Sequence, residues 1–140
     1  MPDAASRVSE LRLVLRVADA DALAATFADE LGLPVLATFG TGDARAVLLD
    51  AGRATIEVGN AEHADGIDEL EAGAVTGAPV RVALEVDATD ELTGALRRRG
   101  LALVGGPSTM PWGSRNARLA LSDDLQLTLF ELVDDVEHFV

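Results

Sequence analysis

The residues best placed to do chemistry are charged groups in the middle of strand-like segments. Leu11 to Val17 reads LRLVLRV, and Val80 to Val86 reads VRVALEV. In the first, Leu11, Leu13, Leu15 and Val17 share one face and Arg12, Val14 and Arg16 the other. In the second, Val80, Val82, Leu84 and Val86 alternate with Arg81, Ala83 and Glu85. Successive strand side chains point to opposite faces, so each segment has one oily face and one that carries charge mid-strand. An ordinary core strand has no use for such arginines. A strand lining a wet or ligand-filled concavity does. The same alternation sets Glu57 opposite Ile56 and Val58, and Thr128 opposite Leu127 and Leu129. Guanidinium forks can grip a carboxylate, phosphate or enolate in bidentate fashion, and a carboxylate among them can orient a fork or move a proton.

The elements that must position these groups follow along the chain. Residues 1–10 read as a leader. Asp19 or Asp21 can cap a helix with the stripe Leu23, Phe27 and Leu31, which Gly32 and Pro34 end. Val35 to Phe39 is a strand, Gly40 to Ala44 a turn, and 45–50 with 53–58 a hairpin. Residues 61–79, with Glu62, Asp65, Asp68, Glu69, Glu71 and three glycines, read as a solvated acidic connector with one helical turn at Ile67 to Ala72. The pattern then restarts. After Val86, Asp87 or Thr89 caps a helix with Leu92, Ala95 and Leu96 inward. It ends in Arg97 to Arg99, where cations suit the negative end of the helix dipole. Leu101 to Val104 is a strand, 105–114 a long loop, and 115–121 with 125–130 a closing hairpin. Residues 133–140 form an acidic tail, with Val136, Phe139 and Val140 docking on the body. The repeat of strand, helix and three strands thus divides the chain into modules at 11–60 and 80–132.

Composition narrows the function. The chain has 140 residues, 49% hydrophobic and 25% charged, which suits one globular domain. There is no cysteine, which excludes thiol nucleophiles and disulfides and fits a reducing cytoplasm. No signal peptide or bilayer-spanning run is apparent. A net charge of −13 speaks against nucleic acid and anionic membranes as partners. No G-x-S-x-G elbow occurs, and Gly105-Gly106 lacks the lysine and helix of a phosphate loop.

The segments 15–35, 82–107 and 111–132, in this order and spacing, resemble the vicinal oxygen chelate superfamily: glyoxalase I, extradiol dioxygenases and bleomycin-resistance proteins. The resemblance implies an α+β fold, two tandem βαβββ modules whose curved mixed sheet wraps a cleft, and a homodimer. It also implies metal-ligand positions, a histidine in the first strand and a glutamate in the last of each module. These fall on Arg12, Glu57, Arg81 and Thr128 and bring the four together. Only Glu57 keeps the ligand type. Arginine stays protonated and offers a metal no lone pair, and His63 and His138 lie off the lining strands. No metal is therefore expected in the usual place.

Two arginines, one carboxylate and one hydroxyl predict a net positive pocket. In one reading it holds a small polar or anionic ligand, with Arg16 and Glu85 extending the network and Trp112 stacking on the ligand. In the other, Arg12 pairs with Glu57, Arg81 pairs with Glu85 or another acid, and Trp112 plugs a loop with its N–H on a backbone carbonyl. Phe39 and Phe130 are assigned to the core. The leading expectation is a metal-free, cytoplasmic small-molecule-binding protein of the bleomycin-resistance type. The alternative is a lyase, epimerase or dioxygenase of the same superfamily, using a divalent metal or Glu57 as general base with Arg12 and Arg81 on an oxyanion. A third is a scaffold module with a vestigial cleft.

Overall fold

The computed structural model describes residues 6–133. The expected docking of Val136, Phe139 and Val140 and the position of His138 lie outside the described residues. Eleven elements follow in order: β1 (Val8–Arg16), α1 (Ala20–Leu31), β2 (Val35–Phe39), β3 (Ala46–Asp50), β4 (Thr55–Gly59), α2 (Ala61–Ala72), β5 (Val80–Val86), α3 (Thr89–Arg98), β6 (Ala102–Thr109), β7 (Ser114–Ser122) and β8 (Leu125–Leu132). All eight strands form one open mixed sheet in the order β2-β3-β4-β1-β5-β8-β7-β6. The two modules meet along the antiparallel pair β1–β5, while β1 runs parallel to β4 and β5 parallel to β8. Both modules of the chain therefore contribute to one sheet.

The oily strand faces lie against the helices. Val47, Leu49 and Val58 pack on Ala20 and Ala24 of α1, with Leu23 and Phe27 beside them. Ala117, Leu119, Leu127 and Leu129 pack with Leu92 and Leu96 of α3. Full burial of such side chains supplies about 1.5–3 kcal/mol each, which anchors both helices on one face and leaves the opposite face to the polar residues. Asp19 caps α1, accepting from Ala22 N at 3.0 Å, and Gly32 ends it at φ 72°. At α3 neither expected cap acts. Ala88 is the N-cap residue, and the Glu131 side chain on β8 accepts from Thr89 N at 2.9 Å.

Three expected boundaries are corrected. Val8 to Glu10 belong to β1 rather than a leader, because they pair with β5. The region expected to be a loop from Gly105 is strand β6 as far as Thr109, with register shifts at Gly105 that keep it paired to β7. The connector is mostly helix α2. Asn60 caps it by accepting from His63 N at 3.0 Å, and Gly73 closes it at φ 79°. It packs over β6 and β7. Gly105 makes room for it: a Cβ there would run into the Glu71 carbonyl and Ala72 Cα. Among the described residues no helix is long and apolar enough to cross a membrane.

Candidate functional site

The register lays the polar residues out in two rows across the middle of the sheet. Glu57, Val14, Arg81 and Gln126 are cross-strand neighbours in one, and Thr55, Arg12, Ala83, Thr128 and Arg118 in the next. Neighbouring strands are about 5 Å apart, so long side chains from both rows reach the same space. They enclose a cavity of about 240 Å³, lined by all four of the converging residues, Arg12, Glu57, Arg81 and Thr128, and by Trp112. Arg16 lies outside it. It lines a smaller neighbouring pocket of about 20 Å³ and pairs with Asp65 at 2.7 Å. Glu85 lines neither pocket. It sits farther along β5, where it registers with Glu10 and Phe130 and leaves Arg81 unpaired by it.

The two halves of the cavity hold their charges differently. In the first module Arg12 donates to Glu10 (Nε to Oε2 3.0 Å, Nη2 to Oε1 3.3 Å) and to Glu57 Oε1 (3.3 Å). Burial works against the Arg12 charge, but the Glu10 hydrogen bonds and the Glu57 and Glu10 charges outweigh it and raise its pKa. Its guanidinium lies 5.2 Å from the centre of the Phe130 ring. Glu57 is 8% exposed, and its second oxygen, Oε2, faces His63 Nε2 at 3.9 Å. That is too long for a hydrogen bond. Burial pushes His63 below its ordinary pKa, Glu57 pulls the other way, and Arg81 adds to the lowering, so the imidazole is neutral at neutral pH. His63 also stacks on Phe39 at a centroid distance of 6.4 Å.

On β7 and β8 of the second module the charges are saturated. Arg118, fully buried on β7, donates to Glu71 Oε1 through Nε (3.0 Å) and Nη2 (2.8 Å), and to Asp68 Oδ1 through Nη1 (2.8 Å). Glu71 also accepts from Asn116 Nδ2 (2.7 Å) and Thr128 Oγ1 (3.0 Å). Desolvation would raise the Glu71 pKa, but the Arg81 and Arg118 charges and the Arg118 and Asn116 hydrogen bonds prevail and hold it low. Asp68 is likewise held low, against its desolvation, by Arg118 and by the amides of Thr76 and Gly77. The Trp112 indole N–H donates to Ser114 Oγ at 2.7 Å, and Ser114 Oγ donates to Asn116 Oδ1 at 2.6 Å. The indole thus joins a side-chain chain that ends on Glu71, not the expected backbone carbonyl.

Arg81, on the seam strand, is the exception. Its Nη1 donates to Thr128 Oγ1 at 3.0 Å. Among the described residues no carboxylate lies within 4.0 Å of it, whereas Arg12, Arg16 and Arg118 each have one. The expected net positive pocket is not what forms. Arg12, Arg81 and Arg118 face Glu10, Glu57, Asp68 and Glu71, so the cavity and its supports carry one excess negative charge when His63 is neutral. Phe39 and Phe130, expected in the core, line the cavity with Trp112, Ile67 and Val14.

The residues missed from the sequence are Glu10, His63, Asp68, Glu71, Asn116 and Arg118. Asn116 and Arg118 carry the same signal as Arg12 and Arg81, alternating with Ala117 and Leu119. Asp68 and Glu71 stand three apart, on one face of a helix. The residues present do not fit the superfamily's metal. Two ligand positions are arginines, and among the described residues no group of three histidine, aspartate or glutamate side chains is arranged to hold an ion.

The family model for the Glyoxalase/Bleomycin resistance protein/Dioxygenase superfamily matches residues 11–136. No curated protein matches the chain. Among solved structures, methylmalonyl-CoA epimerase from Mycobacterium tuberculosis superposes with a TM-score of 0.67 at 23% identity, over 94% of this chain and 93% of that one. A hypothetical protein from Bacillus halodurans gives 0.67 at 15% identity, over 90% and 95%. A glyoxalase/bleomycin resistance protein/dioxygenase superfamily member from Vibrio splendidus gives 0.60 at 14% identity, over 87% and 97%. At these identities the likeness is one of fold.

Proposed function

Because the chain belongs to the Glyoxalase/Bleomycin resistance protein/Dioxygenase superfamily, we propose that its cavity works as a binding site in the manner of the superfamily's binding members: it holds a small organic acid without a metal and without breaking a bond. The observation that carries this reading is Arg81. Its guanidinium has five N–H donors, and among the described residues one of them is used, by Thr128. A guanidinium lining a cavity with no carboxylate in direct contact keeps donors that solvent or a ligand must complete. A ligand carboxylate can accept from the remaining donors as a fork. Phe39, Phe130 and Trp112 supply apolar wall for the body of the ligand. Arg12 is already committed to two glutamates and serves as support.

The test is a thermal-shift screen of carboxylates with aromatic and aliphatic bodies, repeated in Arg81→Ala. Binders that raise the melting temperature of the wild type and not of the variant support the reading. A screen in which hits are indifferent to Arg81→Ala removes it. Titration with manganese, iron(II), nickel and zinc tests the metal-free part, and one ion bound per chain and lost in Glu57→Ala would contradict it. A homodimer belongs to the same proposal. It is supported by Leu31 at the end of α1 and by Val35 and Leu36 on edge strand β2, all exposed. Sedimentation velocity measures it.

One observation favours an enzyme as the second reading: the neutral imidazole of His63 beside the Glu57 carboxylate inside the cavity. Such a pair can take a proton from a carbon acid. Incorporation of solvent deuterium into a bound acid, followed by NMR, would select this reading over simple binding.

A further inference from the structure

We infer that the ligand of this cavity is a zwitterion, with its carboxylate on Arg81 and a protonated amine at Glu57. The inference rests on the Arg81 reading and extends it. A plain acid satisfies Arg81 and leaves the other half of the cavity unanswered. That half is negative: Arg12 is shared between Glu10 and Glu57, so two carboxylates face one guanidinium. Glu57 is more than nine-tenths buried, yet only Oε1 has a hydrogen bond, the one from Arg12 at 3.3 Å. Among the described residues Oε2 accepts none, and Glu57 lines the cavity. His63, neutral, adds no positive charge there, and its Nε2 can offer a lone pair toward the same space.

The other charges around the cavity are answered by protein. Arg118, Asp68, Glu71, Asn116 and Thr128 hydrogen-bond one another. Two open valences of opposite sign remain, the Arg81 donors and Glu57 Oε2. They come from strands on either side of β1, where both Arg81 and Glu57 register with Val14. Their Cα atoms are therefore about 10 Å apart, and both side chains reach inward from that spacing. A monoanion would also enlarge the site's negative excess. A molecule with one positive and one negative group leaves it unchanged. An ammonium has three donors, enough for Glu57 Oε2 and His63 Nε2 together. The chemical class is an aminocarboxylic acid, with the apolar walls taking its side chain or methylene body.

The test uses the full chain and ligands that share a skeleton and differ in one group: phenylalanine, 3-phenylpropionate and 3-phenyllactate; β-alanine, propionate and 3-hydroxypropionate; γ-aminobutyrate, butyrate and 4-hydroxybutyrate. Isothermal titration at pH 7.5 should give at least one amino acid about tenfold tighter than both its partners, the worth of one charge-assisted hydrogen bond. Glu57→Gln should bring that amino acid down to the affinity of its deamino partner. Should Glu57→Gln not fold, the N-acetyl derivative makes the same comparison on the unaltered protein, since it keeps the carboxylate and loses the ammonium. It is expected to bind about tenfold more weakly than the free amino acid. Acids that bind as well as or better than their amino partners would overturn the zwitterion and leave the Arg81 reading standing. Failure of every member of every set to bind would overturn both.

Discussion

The two modules present equivalent positions to one cleft and use them in opposite ways. Arg12 on β1 corresponds to Arg81 on β5, Glu57 on β4 to Thr128 on β8, and Leu48 on β3 to Arg118 on β7. The chief difference is α2. It lies over the second module, against β6 and β7. Its Asp68 and Glu71 meet Arg118 where water is excluded, and every partner is hydrogen-bonded. The first module meets only the start of α2, where Asp65 pairs with Arg16 and His63 faces Glu57 across the cavity without a hydrogen bond. The comparison teaches how one duplicated scaffold divides its labour. One half saturates its charges and becomes support. The other half and the seam keep valences open.

The largest expected effect separates the two arginines that look alike in sequence. Arg118→Met takes from the buried Asp68 and Glu71 the guanidinium they share and should cost about 3–5 kcal/mol by urea unfolding. Arg12→Met removes hydrogen bonds to charged groups at a wetter site and should cost less, about 1.5–3 kcal/mol. Equal losses would erase the distinction between the halves.

Gly105→Ala tests the seating of α2. The added methyl meets Glu71 and Ala72 backbone, so a loss of about 1–3 kcal/mol is expected. It should come with faster hydrogen exchange in α2 and little change in α1. A neutral result would mean that α2 moves aside freely.

A smaller effect appears on titration. The folded pKa of His63 lies below the ordinary 6.5, so between the two values the unfolded chain binds a proton the folded chain does not. Stability therefore rises with pH across that window and is lost as pH falls. Its slope is at most about 1.4 kcal/mol per pH unit for the one proton. Asp68 and Glu71 have the same sign lower down. Their contributions are full above 3.8 and 4.5 and are lost as pH falls through the depressed folded values. His63→Phe should flatten the upper window and leave the acid limb in place. Urea midpoints measured across pH 3–8 would show whether the two windows separate.

Much of the scaffold was legible because a period of two is hard to counterfeit. Val35–Phe39 and Val80–Val86 are strands with the bounds their patterns predict. Alternation put Arg12, Glu57, Arg81 and Thr128 on the face that lines the cavity. Helix α2 was not legible for a physical reason. A helix shows in sequence through an apolar stripe, and the buried residues of α2 are Asp68 and Glu71. Its carboxylates therefore read as solvated charge. The cavity's net charge failed with it, since the acids on α2 and Glu10 were assigned to connector and leader. Pairings were beyond reach as well. Alternation names a face but not which of several acids an arginine meets, and Glu85 was a better sequence partner for Arg81 than the structure bears out. Arg118 carries the same alternation as Arg81, but β7 holds none of the superfamily's metal-ligand positions.

The central claim is that Arg81 holds the open cationic valence while Arg12 is spent on structure. The most direct measurement is isothermal titration of the best acid from the screen against wild type, Arg81→Gln and Arg12→Gln, with circular dichroism confirming that each variant is folded. The account predicts a loss of about thirtyfold or more in Arg81→Gln, the worth of roughly 2 kcal/mol, and a much smaller change in Arg12→Gln. Equal losses in the two variants, or a larger loss in Arg12→Gln, would contradict it.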